Sequence, residues 1–192
     1  MKRLSYVAAT LMTVWMLQSC GGGNTEAKHE DAVDSAQAVN KETAPVDQNS
    51  SDFAVKAADA GMKEIALGKI AQEKGVNPQV KAFGEQMVAD HSKAADELKS
   101  IAAAKNITLP DSVGVDYKKD IDDISKKTGK DFDKAYVNAM VKDHDDAVDL
   151  FQKASNDVSD PELKAFAAKT LPTLQAHQTH VKTLDSLLKK NK

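Results

Sequence analysis

Residues 106–130, NITLPDSVGVDYKKDIDDISKKTGK, form the connection that decides how this chain folds. On both sides of it, apolar residues recur every three or four positions, which is the spacing of a helix buried on one face. Inside the connection, the pattern predicts only a short helix over about residues 117–126. The preceding helix, over about residues 78–105, would be roughly 42 Å long. A connection of about 25 residues can run along that length and start the next helix at the same end of the molecule.

Two helical hairpins flank this connection. The four long helices are predicted over about residues 52–74, 78–105, 131–154 and 161–190. The gaps within each hairpin are short, so the two helices of a pair are antiparallel neighbours. One long crossover between two hairpins is the ferritin-like arrangement, as opposed to a simple up-and-down bundle. We therefore predict an all-α fold, a ferritin-like four-helix bundle with a long crossover between helices two and three.

The N-terminus has the pattern of an export signal. Lys2 and Arg3 precede a mostly apolar run over residues 4–17, which has about the length of a signal-peptide hydrophobic region. The run is shorter than the roughly 20 apolar residues of a membrane-spanning helix. Residues 17–21, LQSCG, resemble a bacterial lipoprotein signal, which implies cleavage before Cys20 and lipidation of that cysteine. An ordinary secretory signal with an incidental cysteine is the alternative.

These features divide the chain into three segments. We predict a lipoprotein signal peptide over residues 1–19, a lipidated cysteine with a flexible acidic tether over residues 20–50, and the bundle domain over residues 51–192. The tether has too few large apolar residues to bury a core of its own. Several acyl chains give a stable membrane anchor where one does not. The expected partner is therefore a membrane, and the expected location is the cell envelope, as an outer membrane lipoprotein that faces the periplasm.

Charge and cysteine content exclude several classes of protein. The chain has 26 basic and 29 acidic residues, a formal net charge of −3, so it has no basic field for nucleic acid. Because Cys20 is the single cysteine, one chain forms no disulfide, iron–sulfur cluster or zinc-thiolate site. The sequence contains no Gly-x-Ser-x-Gly motif and no phosphate-binding loop, which disfavours a hydrolase or a nucleotide enzyme. We assign no catalytic residue.

Each long helix carries one polar side chain on its apolar stripe, near the middle of the helix. These residues are Glu64, His91, His144 and His177. Mid-helix residues of a bundle share one level, so we expect the four side chains to converge, as ligands do in helical metalloproteins. Three imidazoles and a carboxylate suit copper, zinc or iron. The alternative is a polar cluster that satisfies its own hydrogen bonds and serves packing.

A short repeat adds weaker candidates for the same site. MVADH at residues 87–91 recurs as MVKDH at residues 140–144. A methionine and a histidine four positions apart share a helix face, and thioether with imidazole favours copper. Methionines at this spacing also commonly fill gaps in a core. His180 follows His177 by three residues and faces either the same region or the rim. The weaker candidate ligands are therefore Met87, Met140 and His180.

The pattern of di-iron bundles is missing from these helices. Such proteins carry a glutamate three positions before the metal-binding histidine. Here the corresponding positions are Val88, Val141 and Leu174. The sequence therefore disfavours ferritin-type oxygen chemistry.

Four blocks of sequence together resemble a known family. They are MVADH at residues 87–91, GKDFDKAY at 129–136, MVKDH at 140–144, and FAAKTLPTL at 166–174 followed by His177. They are similar to the bacterial exported domain-of-unknown-function family 4142, often labelled as outer membrane proteins. The resemblance covers about residues 51–188. It implies a ferritin-like bundle in the cell envelope and brings no activity or substrate.

Three functions remain open on these grounds. The first is a binding or stress-protective envelope module, with or without a central transition metal. The second is a structural or partner-binding lipoprotein whose histidines only pack, with an envelope protein or a second copy of the chain as its partner. The third is a metal-dependent oxidoreductase. The absence of catalytic motifs and the near balance of charges favour the binding module over an enzyme.

Overall fold

The computed structural model describes residues 31–190, and every regular element within that range is a helix. The six helices are α1 (Ala32–Thr43), α2 (Gln48–Lys74), α3 (Pro78–Ala104), α4 (Val115–Ser125), α5 (Gly129–Asp157) and α6 (Pro161–Lys190). The four long helices are α2, α3, α5 and α6, and α4 lies within the crossover. The predicted all-α fold is confirmed. None of these helices is long and apolar enough to cross a membrane.

Side-chain caps set where the long helices begin. The Asp47 carboxylate accepts a hydrogen bond from Ser50 N at 3.1 Å, so α2 begins four residues before the predicted start. Asn77 caps α3 through Gln79 N at 2.8 Å, and Pro78 occupies the first turn. The Asp160 carboxylate accepts from Leu163 N at 3.0 Å at the start of α6.

Aromatic contacts establish the direction of each helix. Phe53, near the start of α2, packs against Phe151, near the end of α5, and Phe166, near the start of α6. Leu98, late in α3, belongs to the same cluster. Helix α2 is therefore antiparallel to α5, and α3 runs parallel to α5. This is the topology of two hairpins joined by one crossover, as the sequence predicts.

The core consists of two apolar clusters, one towards each end of the bundle. One contains Phe53, Phe151 and Phe166, and the other contains Phe83, Phe132 and Tyr136. Along each long helix, a buried glutamate or histidine separates the residues of the first cluster from those of the second. These side chains are Glu64, His91, His144 and His177. The polar residues therefore form a buried layer near mid-height.

A glycine pair brings α2 and α3 into close contact. A Cβ atom added at Gly68 would lie 2.8 Å from the carbonyl oxygen of Gly84, and one at Gly84 would lie 2.7 Å from that of Gly68. Any side chain at either position would therefore push the helices apart. The contact lies one turn from Glu64 and two turns from His91, so it helps to hold these two side chains together.

The predicted flexible tether over residues 20–50 is wrong for residues 31–50, which are mostly helical. Polar contacts rather than a large apolar area hold α1 in place. The Asn40 side chain accepts from Thr108 N at 2.7 Å and donates to Thr108 O at 2.8 Å. The Asp31 carboxylate accepts from Val115 N at 3.0 Å. The predicted signal peptide, Cys20 and the tether up to residue 30 lie outside the described residues.

Candidate metal centre

Three imidazole rings meet in the buried polar layer. His91 lies on α3, His144 on α5 and His177 on α6, and their exposed fractions are 6%, 0% and 1%. Their ring centroids are separated by 5.7, 5.5 and 5.4 Å. One nitrogen of each ring lies within 4.8 Å of a nitrogen of both other rings. Both hairpins therefore contribute to one compact cluster, which we call the three-histidine cluster.

An acceptor outside the cluster lies beside one nitrogen of each ring, and it forms a hydrogen bond with His144 and His177. His144 Nδ1 donates to the carbonyl oxygen of Met140 at 2.9 Å, and His177 Nε2 donates to Asp90 Oδ2 at 2.9 Å. His91 Nδ1 lies 3.2 Å from Glu64 Oε2. Backbone carbonyls and carboxylates are the usual partners for the second nitrogen of a metal-binding histidine, because they fix its tautomer and orientation.

The opposite nitrogen of each ring has no partner. His91 Nε2, His144 Nε2 and His177 Nδ1 are buried and make no hydrogen bond with the chain over residues 31–190. When the first nitrogen of a neutral imidazole donates, the second carries a free lone pair. Three buried acceptors without a donor are unfavourable in a cluster that only packs. Unpartnered nitrogens of this kind are available as ligands of a metal ion.

Glu64 occupies a different position from the one expected of a ligand. Its carboxylate is buried beside the cluster, with Oε2 near His91 Nδ1 and Oε1 at 3.5 Å from His144 Nδ1. Both of these nitrogens are the ones opposite the nitrogens without a hydrogen-bond partner. The structure thus brings all four predicted residues together, but the compact set of nitrogens comes from the histidines. Glu64 Oε2 lies where it can accept a hydrogen bond from His91 Nδ1.

Burial keeps the three rings in the form that binds metals. It lowers the pKa of His91 to about 4 and also lowers the pKa values of His144 and His177. Burial raises the pKa of Glu64 to about 7, and the nearby His144 opposes part of that shift. The imidazoles are therefore neutral at pH 7, as coordination requires.

The weaker candidates lie outside the three-histidine cluster. Met87 and Met140 are fully buried in the apolar cluster around Phe83. Met140 contributes its backbone carbonyl to His144. His180 is exposed, and its Nδ1 lies 3.2 Å from Gln86 Oε1. The positions of these residues therefore favour a site with imidazole ligands alone over a copper site with methionine ligands.

Sequence reasoning missed the polar groups that support the cluster. Asp90 precedes His91 in the chain but bonds to His177 on another helix. The buried Lys63 amine bonds to Asp143 at 2.8 Å and Asp120 at 3.0 Å, and lies 4.4 Å from the Tyr117 ring centroid. The sequence does point to two of these aspartates, because an aspartate precedes the histidine in both copies of the five-residue repeat.

A family model described as "Domain of unknown function (DUF4142)" matches residues 34–184. The chain belongs to this family. The match begins within α1, so the family domain includes the helix that the tether prediction missed. It also includes Glu64 and all members of the three-histidine cluster.

One solved structure shares the fold of this DUF4142 protein. It is described as "Crystal structure of DUF305 fragment from Deinococcus radiodurans", with a TM-score of 0.65 and 10% sequence identity. The alignment covers 74% of this chain and 98% of that one. At this identity the likeness concerns the fold alone. No curated protein matches the chain.

Proposed function

We propose that this DUF4142 protein is a metal-binding module of the cell envelope, in which His91, His144 and His177 bind one transition-metal ion. The observation that carries the proposal is the unpartnered nitrogen on each buried ring, opposite a nitrogen held by an outer acceptor. A cluster that satisfied its own hydrogen bonds would leave fewer of these atoms unpaired. A bound metal ion therefore explains the unpartnered nitrogens better than a purely structural role of the histidines does.

The ligand chemistry favours zinc or copper, with iron third. Imidazole nitrogen suits all three metals, whereas calcium and magnesium prefer oxygen. Zinc–nitrogen bonds of about 2.0–2.1 Å correspond to nitrogens about 3.4 Å apart in a tetrahedron. One nitrogen of each ring lies within 4.8 Å of the others, so the rings would have to move closer together to bind the ion. The Glu64 carboxylate offsets part of the cation's charge from outside the ligand set.

The metal content of the full chain tests this proposal. The detergent-solubilised protein, purified without chelator, is titrated in turn with copper, zinc and iron, and bound metal is measured by elemental analysis. We expect one ion per chain, and we expect the His91→Ala/His144→Ala double variant to lose it. The matched control is His180→Ala, which removes an exposed histidine outside the cluster. Metal-free protein under all three conditions, or full binding by the double variant, would overturn the proposal.

We also propose that Cys20 carries the lipid that holds this module at the outer membrane, facing the periplasm. The support is the LQSCG sequence after a short apolar run with a basic start. Cys20→Ala in the precursor should abolish labelling with a fatty-acid probe and leave the signal peptide uncleaved. Ser19→Ala, which keeps the cysteine, is the control. Continued labelling of the Cys20→Ala protein would contradict the anchor.

A further inference from the structure

The three outer acceptors contact different nitrogens of their rings. Glu64 Oε2 lies beside Nδ1 of His91. The Met140 carbonyl oxygen likewise accepts from Nδ1 of His144. For His177, however, the acceptor lies 2.9 Å from Nε2. The nitrogens without a partner are correspondingly Nε2 of His91 and His144, but Nδ1 of His177. His177 therefore differs from the other two rings in the atom that it leaves for a metal ion.

The acceptor of His177 is a carboxylate from another helix. Asp90 lies on α3 and His177 on α6, and their side chains are 40% and 1% exposed. An ionised carboxylate has no proton to donate, so the hydrogen between the two atoms belongs to His177 Nε2. In a neutral imidazole the other nitrogen then carries the free lone pair. The contact with Asp90 thus selects the tautomer in which Nδ1 is available.

No other polar group competes for the His177 ring. Over residues 31–190, its nitrogens make no second hydrogen bond. The aromatic ring of Phe83 packs against it, with centroids 6.4 Å apart. The other aspartate of the five-residue repeat, Asp143, bonds instead to the amine of Lys63 at 2.8 Å. Of the two repeated aspartates, Asp90 is therefore the one that bonds to a ring of the cluster.

We propose that Asp90 is a positioning residue, which makes His177 bind the metal ion through Nδ1 while His91 and His144 bind through Nε2. The inference rests on the proposed function for the ion, but the tautomer of His177 is a property of the metal-free protein as well. Carboxylates commonly hold metal-binding histidines in this way, and losing one typically weakens metal binding about 10–100-fold. The site then has two kinds of imidazole ligand rather than three equivalent ones.

Nuclear magnetic resonance of the detergent-solubilised full chain, with isotope-labelled histidine, tests the ligand atoms. Correlations between the ring nitrogens and the carbon-bound hydrogens identify which nitrogen carries hydrogen and which one binds the ion. The ion is zinc or copper(I), since both are diamagnetic. The His177 signals are those that His177→Ala removes. We expect hydrogen on Nε2 of His177 in the metal-free chain. After loading, we expect metal at Nδ1 of His177 and at Nε2 of His91 and His144.

A variant of Asp90 tests its role as a positioning residue. Asp90→Asn should move the hydrogen of His177 to Nδ1, because an amide can donate to Nε2. It should also weaken metal binding about 10–100-fold, as measured by competition with a chelator. The matched control is Asp145→Asn, which removes the same charge from an exposed carboxylate that contacts α6 through Gln178 and Lys182. Because Asp145 makes no hydrogen bond with the cluster, the control should keep the tautomer and the affinity of the unaltered protein.

The outcomes separate this inference from the proposed function. Hydrogen on Nδ1 of His177 in the metal-free chain, or an ion bound through its Nε2, overturns the inference and leaves metal binding intact. An unchanged His177 tautomer in Asp90→Asn overturns the role of Asp90. Failure to bind any of the metals overturns the proposed function and the ligand assignment together. Circular dichroism checks that each variant folds. If Asp90→Asn does not fold, Asp90→Ala removes the acceptor and should abolish the preference for hydrogen on Nε2; a retained preference overturns the inference.

Discussion

Burial displaces the pKa values of the central residues in opposite directions. It raises the pKa of Glu64 from 4.5 to about 7 and lowers that of His91 from 6.5 to about 4. His144 and His177 shift in the same direction as His91. Below pH 6.5, unfolded histidines bind protons that the folded rings resist, so acid destabilises the fold. Glu64 has the opposite effect on stability. Between about pH 4.5 and pH 7 its side chain holds a proton in the folded protein but not in the unfolded chain.

These opposing shifts predict a measurable pH dependence in the metal-free protein. Because three histidines oppose one glutamate, the free energy of unfolding should increase from about pH 4 to pH 6.5. Glu64→Gln removes the opposing contribution and should make that increase steeper. The measurement is urea unfolding at several pH values, with the exposed Glu73→Gln as the control. An unchanged slope in Glu64→Gln would show that Glu64 ionises normally in the folded state.

At the scale of helices, periodicity predicted the long elements well because each buries an apolar stripe. The same approach missed α1, which is held by Asn40 and Asp31 through contacts with the distant crossover. It identified the central histidines, because they interrupt apolar stripes at mid-helix. It could not pair Asp90 with His177 or place Glu64 beside the Nδ1 atom of His91. Those roles depend on which helices are neighbours and how their side chains rotate.

The Lys63 amine joins three helices, α2, α4 and α5, directly beside the polar layer. Its side chain is 2% exposed, and Asp143 is 9% exposed. Removing one partner of a buried ion pair leaves the other charge uncompensated, at a typical cost of about 3–5 kcal/mol. We therefore expect Lys63→Met to lower the free energy of unfolding by about that amount, as measured by urea unfolding.

A surface pair provides the control for this prediction. Lys119 and Asp123 form an exposed ion pair on α4, so Lys119→Met should leave stability almost unchanged. Replacing both Lys63 and Asp143 with apolar residues should recover part of the loss, because no unpaired charge remains. Equal stability of Lys63→Met and the unaltered protein would show that the buried pair does not hold the crossover helix.

For the whole molecule, the polar layer lies between two apolar clusters and joins the two hairpins. His91 belongs to the α2–α3 hairpin, and His144 and His177 belong to the α5–α6 hairpin. A metal ion bound by these three residues would therefore link the two halves of the bundle at mid-height. Ligands that bind only the folded state stabilise it by mass action, so the metal would stabilise the entire domain. Under the proposed function, metal binding and the stability of the fold would then depend on the same three histidines.

X-ray absorption spectroscopy of the zinc- or copper-loaded full chain tests this centre most directly. We expect one ion with three imidazole nitrogens, at about 2.0–2.1 Å for zinc. The His177→Ala variant should show loss of one imidazole from the spectrum or loss of the ion, whereas His180→Ala should leave the spectrum unchanged. A spectrum dominated by oxygen ligands, or one that His177→Ala does not alter, would contradict the account.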